Sequence, residues 1–431
     1  MKSGRSAMHL SFEGEAGHDE ARSLVLRFLS GDVHVDPYPV LNRIREAGPV
    51  WLGDDVVVLS SYAHCAAALR AADRTPAPVG VCPVPMARSH RVLDRVLGAD
   101  AVADLAPLVR SLVDDRLDSV AARGRLEVVS DLAHPVPMAV LSRLLGLPAG
   151  DAQWLHRRLA ALGAAHDLPL TGARNPARLA ERRFAEAELE TYLAEAVRDR
   201  RGRADGDDLL SRLVRADGDG ERLTDAEATS AGRLLLASGY ETTAALVSCG
   251  VLALLRAPHE IDALRRDPRR AHRLVEETLR VDPPVQVLQR LAGTDLDLCG
   301  TRVPRGTVMV LLLAAAHRDP ALTPAPDVFA PEGAPPHLAF GADPHHCPGA
   351  PLARLIARTV LVRFVQRVTG ARFALGSTSY RPSVALRGLR ALWVDADGFA
   401  ARDLPWQPAD GQVPDLRPPA HAARDAAGRT S

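Results

Sequence analysis

A helix long enough to cross a whole domain is written into residues 224 to 255. Thr224 is followed three residues later by Glu227, the spacing of a capping box, and apolar and small residues continue from there to about Leu255. About thirty residues at 1.5 Å per residue make a rod of roughly 45 Å. Such a rod is a central beam or a member of an all-helical bundle. A chain of 431 residues can hold it in one large core or in two domains of ordinary size.

Inside the rod lies Leu236-Ala237-Ser238-Gly239-Tyr240-Glu241-Thr242-Thr243-Ala244, where an acid and two hydroxyls interrupt an apolar pattern. Burying them costs free energy unless they are partnered, so they are either a functional site or a solvent-facing strip. Thr242 is spaced to bond the Ser238 carbonyl, and Gly239 leaves the groove uncrowded. The helix is therefore expected to open locally there.

The second feature is a turn-rich loop that runs into a helix, His337 to Arg354. Gly341, Pro344, Pro348 and Gly349 supply bends around Cys347, after which Leu352, Ile356 and Val360 recur every four residues on one helix face. Backbone N–H groups at such a helix start favour a thiolate. The other cysteines, Cys65, Cys82, Cys249 and Cys299, show no paired spacing for zinc or an iron–sulfur cluster. Two readings of Cys347 remain: a buried structural cysteine, or a lone axial ligand to a flat cofactor.

Composition narrows the function. Lys plus Arg and Asp plus Glu both number 53, so no basic excess points to nucleic acid. No apolar run is long enough to span a membrane, and the polar start lacks a signal-type segment. A cytoplasmic protein without a membrane or nucleic-acid partner is expected.

Along the chain, a short helix is expected after Pro39, then a hairpin at 50–59 and mostly helical patterns to Val281. Strand patterns return at 303–312, 371–375 and 386–394. Residues 1–33 read as a flexible N-terminal segment, 34–394 as a single domain, and the Ala-, Pro-, Asp- and Arg-rich 395–431 as a C-terminal extension.

The stretch Phe340-Gly-Ala-Asp-Pro-His345-His-Cys347-Pro-Gly349 resembles the haem-binding loop of the cytochrome P450 family, Phe-Gly-x-Gly-x-His-x-Cys-x-Gly, except that Asp343 stands at a glycine position. The Ser238 to Thr243 stretch resembles the family's Ala/Gly-Gly-x-Asp/Glu-Thr-Thr pattern on its distal helix. Glu277 and Arg280 match its Glu-x-x-Arg motif, and Arg290 follows at the place of a propionate-binding arginine. His90 resembles the start of His-x-x-x-Arg, although Asp94 replaces the arginine. In the meander before the cysteine loop, Ala330 and Gly333 replace the usual acidic and basic residues, so the side-chain cross-link there is expected to be lost.

The resemblance covers about residues 36 to 394. It implies a mainly α fold with small β-sheets, a long central distal helix and a proximal Cys-ligand loop. It implies haem b (iron protoporphyrin IX) with Cys347 as the iron ligand, and His90, Arg290, Phe340, His345 and Gly349 as cofactor contacts. Glu241 and Thr242 take the catalytic proton-relay positions. Electrons would come from NAD(P)H through a ferredoxin and ferredoxin reductase, with Arg91, Arg95, Arg354 and Arg358 as a candidate basic docking face. The implied reaction is insertion of one oxygen atom from O2 into an apolar or mixed organic substrate, by hydroxylation or epoxidation, in bacterial natural-product biosynthesis. Oxidative coupling or desaturation at the same haem is the rival within enzymes. A non-catalytic haem protein that recruits a carrier-bound intermediate is the rival outside them. Substrate-facing candidates are Pro76 to Met86, Leu159 to Ala180, the helix before Gly239, Val285 to Leu288, and Ser377 to Val384.

Overall fold

The computed structural model describes the backbone of residues 13–71, 92–94, 96–164, 175–203, 206–215, 223–342 and 346–402, and their side chains except at 13–18 and 375–377. Helices α1 (Glu13–Leu29), α2 (Tyr38–Glu46) and α3 (Tyr62–Ala71) flank the hairpin β1 (Val50–Trp51) and β2 (Val56–Leu59). Next come α4 (Ala99–Ala103), α5 (Ala106–Ala121), β3 (Arg125–Glu127) and a π-helical turn at Val129–Ala133. The helical body continues with α6 (Pro135–Leu145), α7 (Ala152–Ala164), α8 (Pro176–Arg201), α9 (Leu209–Val214) and α10 (Asp225–Arg256). After α11 (Pro258–Arg266) and α12 (Ala271–Val281) the chain turns to strands β4 (Val287–Leu291), β5 (Leu296–Leu298), β6 (Thr301–Val303) and β7 (Val308–Leu312). The short α13 (Leu313–Ala316) and the long α14 (Ala350–Arg367) precede β8 (Val368–Thr369), β9 (Arg372–Tyr380), β10 (Leu389–Asp395) and β11 (Gly398–Phe399).

The fold is mainly helical with small sheets, ordered β1-β2-β7-β4 and β3-β10-β9 with two-stranded pairs β5-β6 and β8-β11. In the first, β2 and β7 run parallel while β7 pairs antiparallel with β4, setting Arg290 opposite Met309. Pro135 and Pro137 do not break α6. They sit in its first turn, where a missing N–H costs nothing, and the helix ends on left-handed Gly146.

Helix α10 is the beam. The Thr224–Glu227 capping box closes its start, and apolar side chains from Ala228 to Leu255 are buried around it. Helices α6, α8 and α14 pack along it. At Gly250 a Cβ would lie 3.1 Å from Leu361 of α14, so glycine lets the two helices approach. Among the described residues α10 is the one helix long and apolar enough to cross a membrane, and its flanking helices make it a core helix instead.

Both expected domain edges move outward. Residues 13–29, expected to be flexible, form α1, whose Leu24, Val25, Phe28 and Leu29 bury against α2 and the first sheet. The polar residues interleaved with them mask this apolar stripe in a composition-based reading. At the other end Arg367 donates to the Ala400 carbonyl at 2.7 Å, and Arg402 bonds Asp115 at 2.8 Å. Arg363 and Arg367 both reach buried Asp114 of α5, at 2.6 and 3.1 Å. Residues 395–402 are thus part of the fold.

Candidate functional site

The cysteine loop is built as a tight approach to α14. Cys347 N–H donates to the Phe340 carbonyl at 2.8 Å, and Ala350 N–H to the Cys347 carbonyl at 3.2 Å. Gly341 has φ +81°, where a side chain would be strained. Gly349 precedes the first turn of α14, and a Cβ on it would lie 3.8 Å from Cys347 Sγ. Burial pushes the Cys347 thiol up, while the Gly349 and Ala350 N–H groups and Arg354 pull it down and Asp94 works against them. The helix start alone therefore does not make the thiolate expected from sequence. A metal cation bonded to the sulfur would.

The loop rests on a charged platform. Arg354 of α14 stacks over the Phe340 ring at 4.4 Å and grips Glu276 of α12 with two hydrogen bonds of 2.7 Å. His337 Nε2 lies 3.2 Å from the same carboxylate. Burial works to raise the Glu276 carboxyl, but the bonds from Arg354 and His337 outweigh it and hold it well below the usual range. Two residues of the expected docking face have partners within the chain. Arg354 is committed to Glu276, and half-buried Arg358 donates to the Arg354 carbonyl at 3.1 Å. Arg91 and Arg95 lie outside the described residues.

Beneath this platform Arg280 meets Glu277 in a fork of two 2.7 Å bonds, both side chains fully enclosed. Arg280 also donates to the carbonyls of Pro326 at 2.7 Å and Val328 at 2.8 Å, and Ala330 N–H donates to Glu277 at 2.7 Å. The meander is thus tied through its backbone where the expected side-chain partner is missing. Glu332 adds a link by pairing with Arg270 and Arg273.

Arg290 on β4 supplies a direct test of whether the residues fit a haem. Its Nη1 donates to the Gln289 carbonyl at 2.8 Å, but its Nε is buried without a protein partner. Burial alone disfavours its charge. An orphaned, desolvated guanidinium N–H fits an anionic group such as a haem propionate. His90, His345 and Asp343 lie outside the described residues, as does Pro76 to Met86.

On α10, Ser238 Oγ donates to the Leu234 carbonyl at 2.6 Å and Thr242 Oγ1 to that of Ser238. The helix stays α-helical here, so the expected opening is absent: each hydroxyl shares a carbonyl instead of displacing a peptide bond. Glu241 is buried and pairs with Arg381, which donates through Nη2 to His134 Nε2 at 2.8 Å. Glu241 Oε1 and His134 Nδ1 are buried without protein partners. Burial, then Arg381 and His156, push His134 down to about 3, so it stands neutral. His156 Nδ1 meets Tyr240 Oη at 2.5 Å beside it. A small cavity at Thr242 is bounded by Ala245, Pro284 and Leu386, and Glu241 and Arg381 line it and a second one at His134.

The structure therefore gathers Phe340, Cys347 and Gly349 into one loop and sets Glu241 beside Thr242 on the cavity. Sequence reasoning missed Arg381, His134, Glu276 and His337. Arg381 fell within a segment marked as substrate-facing, and the others carried no local signal.

The cytochrome P450 family model matches residues 174–369. The cytochrome P450 monooxygenase PikC of Streptomyces venezuelae is 34% identical over 399 residues, covering 86% of this chain and 93% of that protein. Ligand-free CYP164A2 of Mycobacterium smegmatis superposes with a TM-score of 0.80 at 38% identity, over 87% of this chain and all of that one. P450BioI, solved with a hexadec-9Z-enoic acid-ligated acyl carrier protein, gives a TM-score of 0.76 at 28% identity over 85% of this chain and 100% of its own. With a relative 34% identical over most of both chains and the same fold in solved structures, the chain belongs to the cytochrome P450 family, monooxygenases that use haem iron and electrons from NAD(P)H.

Proposed function

We propose that this protein is a cytoplasmic bacterial-type monooxygenase that hydroxylates or epoxidises an apolar or mixed organic substrate in natural-product biosynthesis, free or attached to a carrier protein, with a ferredoxin and its reductase as electron donors. The observation that carries it is Cys347, whose sulfur sits under the Gly349 and Ala350 N–H groups at the start of α14.

Cys347 would hold the iron, and Arg290, with His90 and His345 at the matching family positions, would hold the propionates. Phe340, backed by Arg354, would help to hold the loop through its carbonyl, which accepts from the Cys347 N–H. Bound haem supplies the activation of dioxygen and insertion of one of its atoms into a C–H bond or a double bond. Insertion consumes two protons for the water that leaves. Thr242 Oγ1 would donate one once it releases the Ser238 carbonyl, and Glu241, which lines the same cavity, would resupply it in its protonated form. Ala245, Pro284 and Leu386 line the same small cavity. The carrier-bound option draws support from the carrier complex of the similar P450BioI.

The test is turnover of a hexadecenoyl chain, free and carrier-linked, under labelled dioxygen with ferredoxin, reductase and NADPH. One labelled atom in the product is expected, and product without label would favour coupling or desaturation. Thr242→Ala should lower product per electron consumed by about tenfold or more while electron consumption continues. Unchanged coupling would remove Thr242 from the relay.

A further inference from the structure

Five tyrosines and four tryptophans serve the whole chain, so a gathering of them is not the by-product of an aromatic-rich core. Two of the tyrosines and one tryptophan meet where α7, α8 and α10 pack on one another. Tyr240 of α10 is buried, and its Oη lies 2.5 Å from Nδ1 of half-buried His156 on α7. Tyr192 of α8 is half-buried and donates to the carboxylate of Asp151, just ahead of α7, at 2.6 Å. Its ring tilts against Trp154 of α7 with centroids 5.0 Å apart. Trp154 and His156 are two positions apart, so they leave α7 in nearly opposite directions, one to each tyrosine. The two tyrosine–base pairs are thus separated by the width of one helix, roughly 10 Å.

A tyrosine needs such a base to give up an electron near neutral pH. Loss of the electron makes the phenolic hydrogen strongly acidic, and an acceptor within hydrogen-bond reach takes it in the same step, so the ring stays neutral. Burial pushes both phenols up, helped by Glu241 at Tyr240 and by the bond to Asp151 at Tyr192, so both stand protonated at rest. Arg158, paired with Glu188, stands 5.5 Å over the Trp154 ring and opposes a positive charge resting on the indole. The inner end of this row is close to the chemistry. Tyr240 is two positions before Thr242 on α10, which puts their Cα atoms on the order of 5 Å apart.

We propose that Tyr240 with His156, Trp154, and Tyr192 with Asp151 form a conduit that carries electrons inward to the haem when no substrate takes its oxidising equivalents. This rests on the reading of Cys347 as the haem ligand. Tyr240 gives one electron to the haem and its phenolic proton to His156 Nδ1. Tyr192 refills Tyr240 by way of Trp154, the proton returns from His156, and Tyr192 passes its own proton to Asp151. A one-electron reductant in solution, such as ascorbate, then restores Tyr192, which takes its proton back from Asp151. Two passes supply two electrons, and with two protons from solvent the oxygen atom left at the haem departs as water. The electron deficit thus ends at half-buried Tyr192 instead of in the haem and its pocket.

The test mixes haem-loaded wild type, Tyr240→Phe and Tyr192→Phe with peracetic acid, without substrate or electron donors, and freezes them within milliseconds for electron paramagnetic resonance. Wild type is expected to show a tyrosyl radical. Tyr192→Phe should show one with altered hyperfine structure, because the deficit then stops at Tyr240, and Tyr240→Phe should lose most of the signal. Haem bleaching by peracetic acid should run several-fold faster in Tyr240→Phe, and ascorbate should slow it in wild type but not in that variant. Either an unchanged radical yield or bleaching at the wild-type rate in Tyr240→Phe would overturn the conduit. A wild-type hyperfine pattern in Tyr192→Phe would overturn its outer half. Should Tyr240→Phe fail to take up haem, Tyr192→Phe decides: protection by ascorbate equal to that of wild type overturns the proposal. Wild type lacking the thiolate carbon-monoxide band would instead defeat the haem reading, and the conduit with it.

Discussion

Arg280→Ala is expected to leave almost no folded haem-loaded protein. The substitution strands the Glu277 carboxylate, which is 0% exposed, with the Ala330 N–H as its remaining partner among the described residues. It also removes the donors from the carbonyls of Pro326, Val328 and His317. Removing one member of a buried pair costs about 3–5 kcal/mol, against a total stability on the order of 5–15 kcal/mol for a folded domain. The loss also detaches α12 from the meander leading to the cysteine loop, so cofactor retention should fall with stability. Arg280→Lys keeps the charge but not the fork, and should recover only part of the loss. Urea midpoint and haem content after purification measure both effects. A variant with the wild-type midpoint and full haem content would show that the fork does not hold the loop's support together.

The parts of this architecture that were legible in the sequence are those whose signal is local. The Thr224–Glu227 box and the apolar run behind it mark α10, because capping and burial act over a few residues. Glu277 and Arg280 lie one helical turn apart, so their pairing is visible as a spacing. The hairpin at 50–59 and the late strands follow from alternating apolar residues and turns.

What remained hidden depends on segments far apart in the chain. Arg381 meets Glu241 across 140 positions and His134 across 247, and neither pairing leaves a periodic trace. Arg354 could be read as a surface cation because its partner Glu276 is 78 positions away. The apolar stripe of α1 was diluted by charged neighbours, and only its packing against α2 shows that it belongs to the fold. Asp94, identified in sequence as a departure from the family pattern, acts on Cys347 with the sign expected of an acid near a thiol.

Cys347→Ser is expected to abolish the feature on which the functional account stands. The sulfur is held by its own N–H bond to Phe340 and by the start of α14, so serine keeps the loop's backbone contacts while replacing the donor atom. An alkoxide or neutral hydroxyl is a poor substitute for a thiolate as a soft, electron-releasing ligand. The fold should therefore survive while the ligand's electronic signature disappears. The decisive measurement is the absorption spectrum of the reduced, carbon-monoxide-treated holoprotein. Wild type should show the red-shifted Soret band of a thiolate-bound haem and Cys347→Ser should lose it completely; a wild-type band typical of a nitrogen ligand, or a thiolate band that persists in the serine variant, would contradict the account.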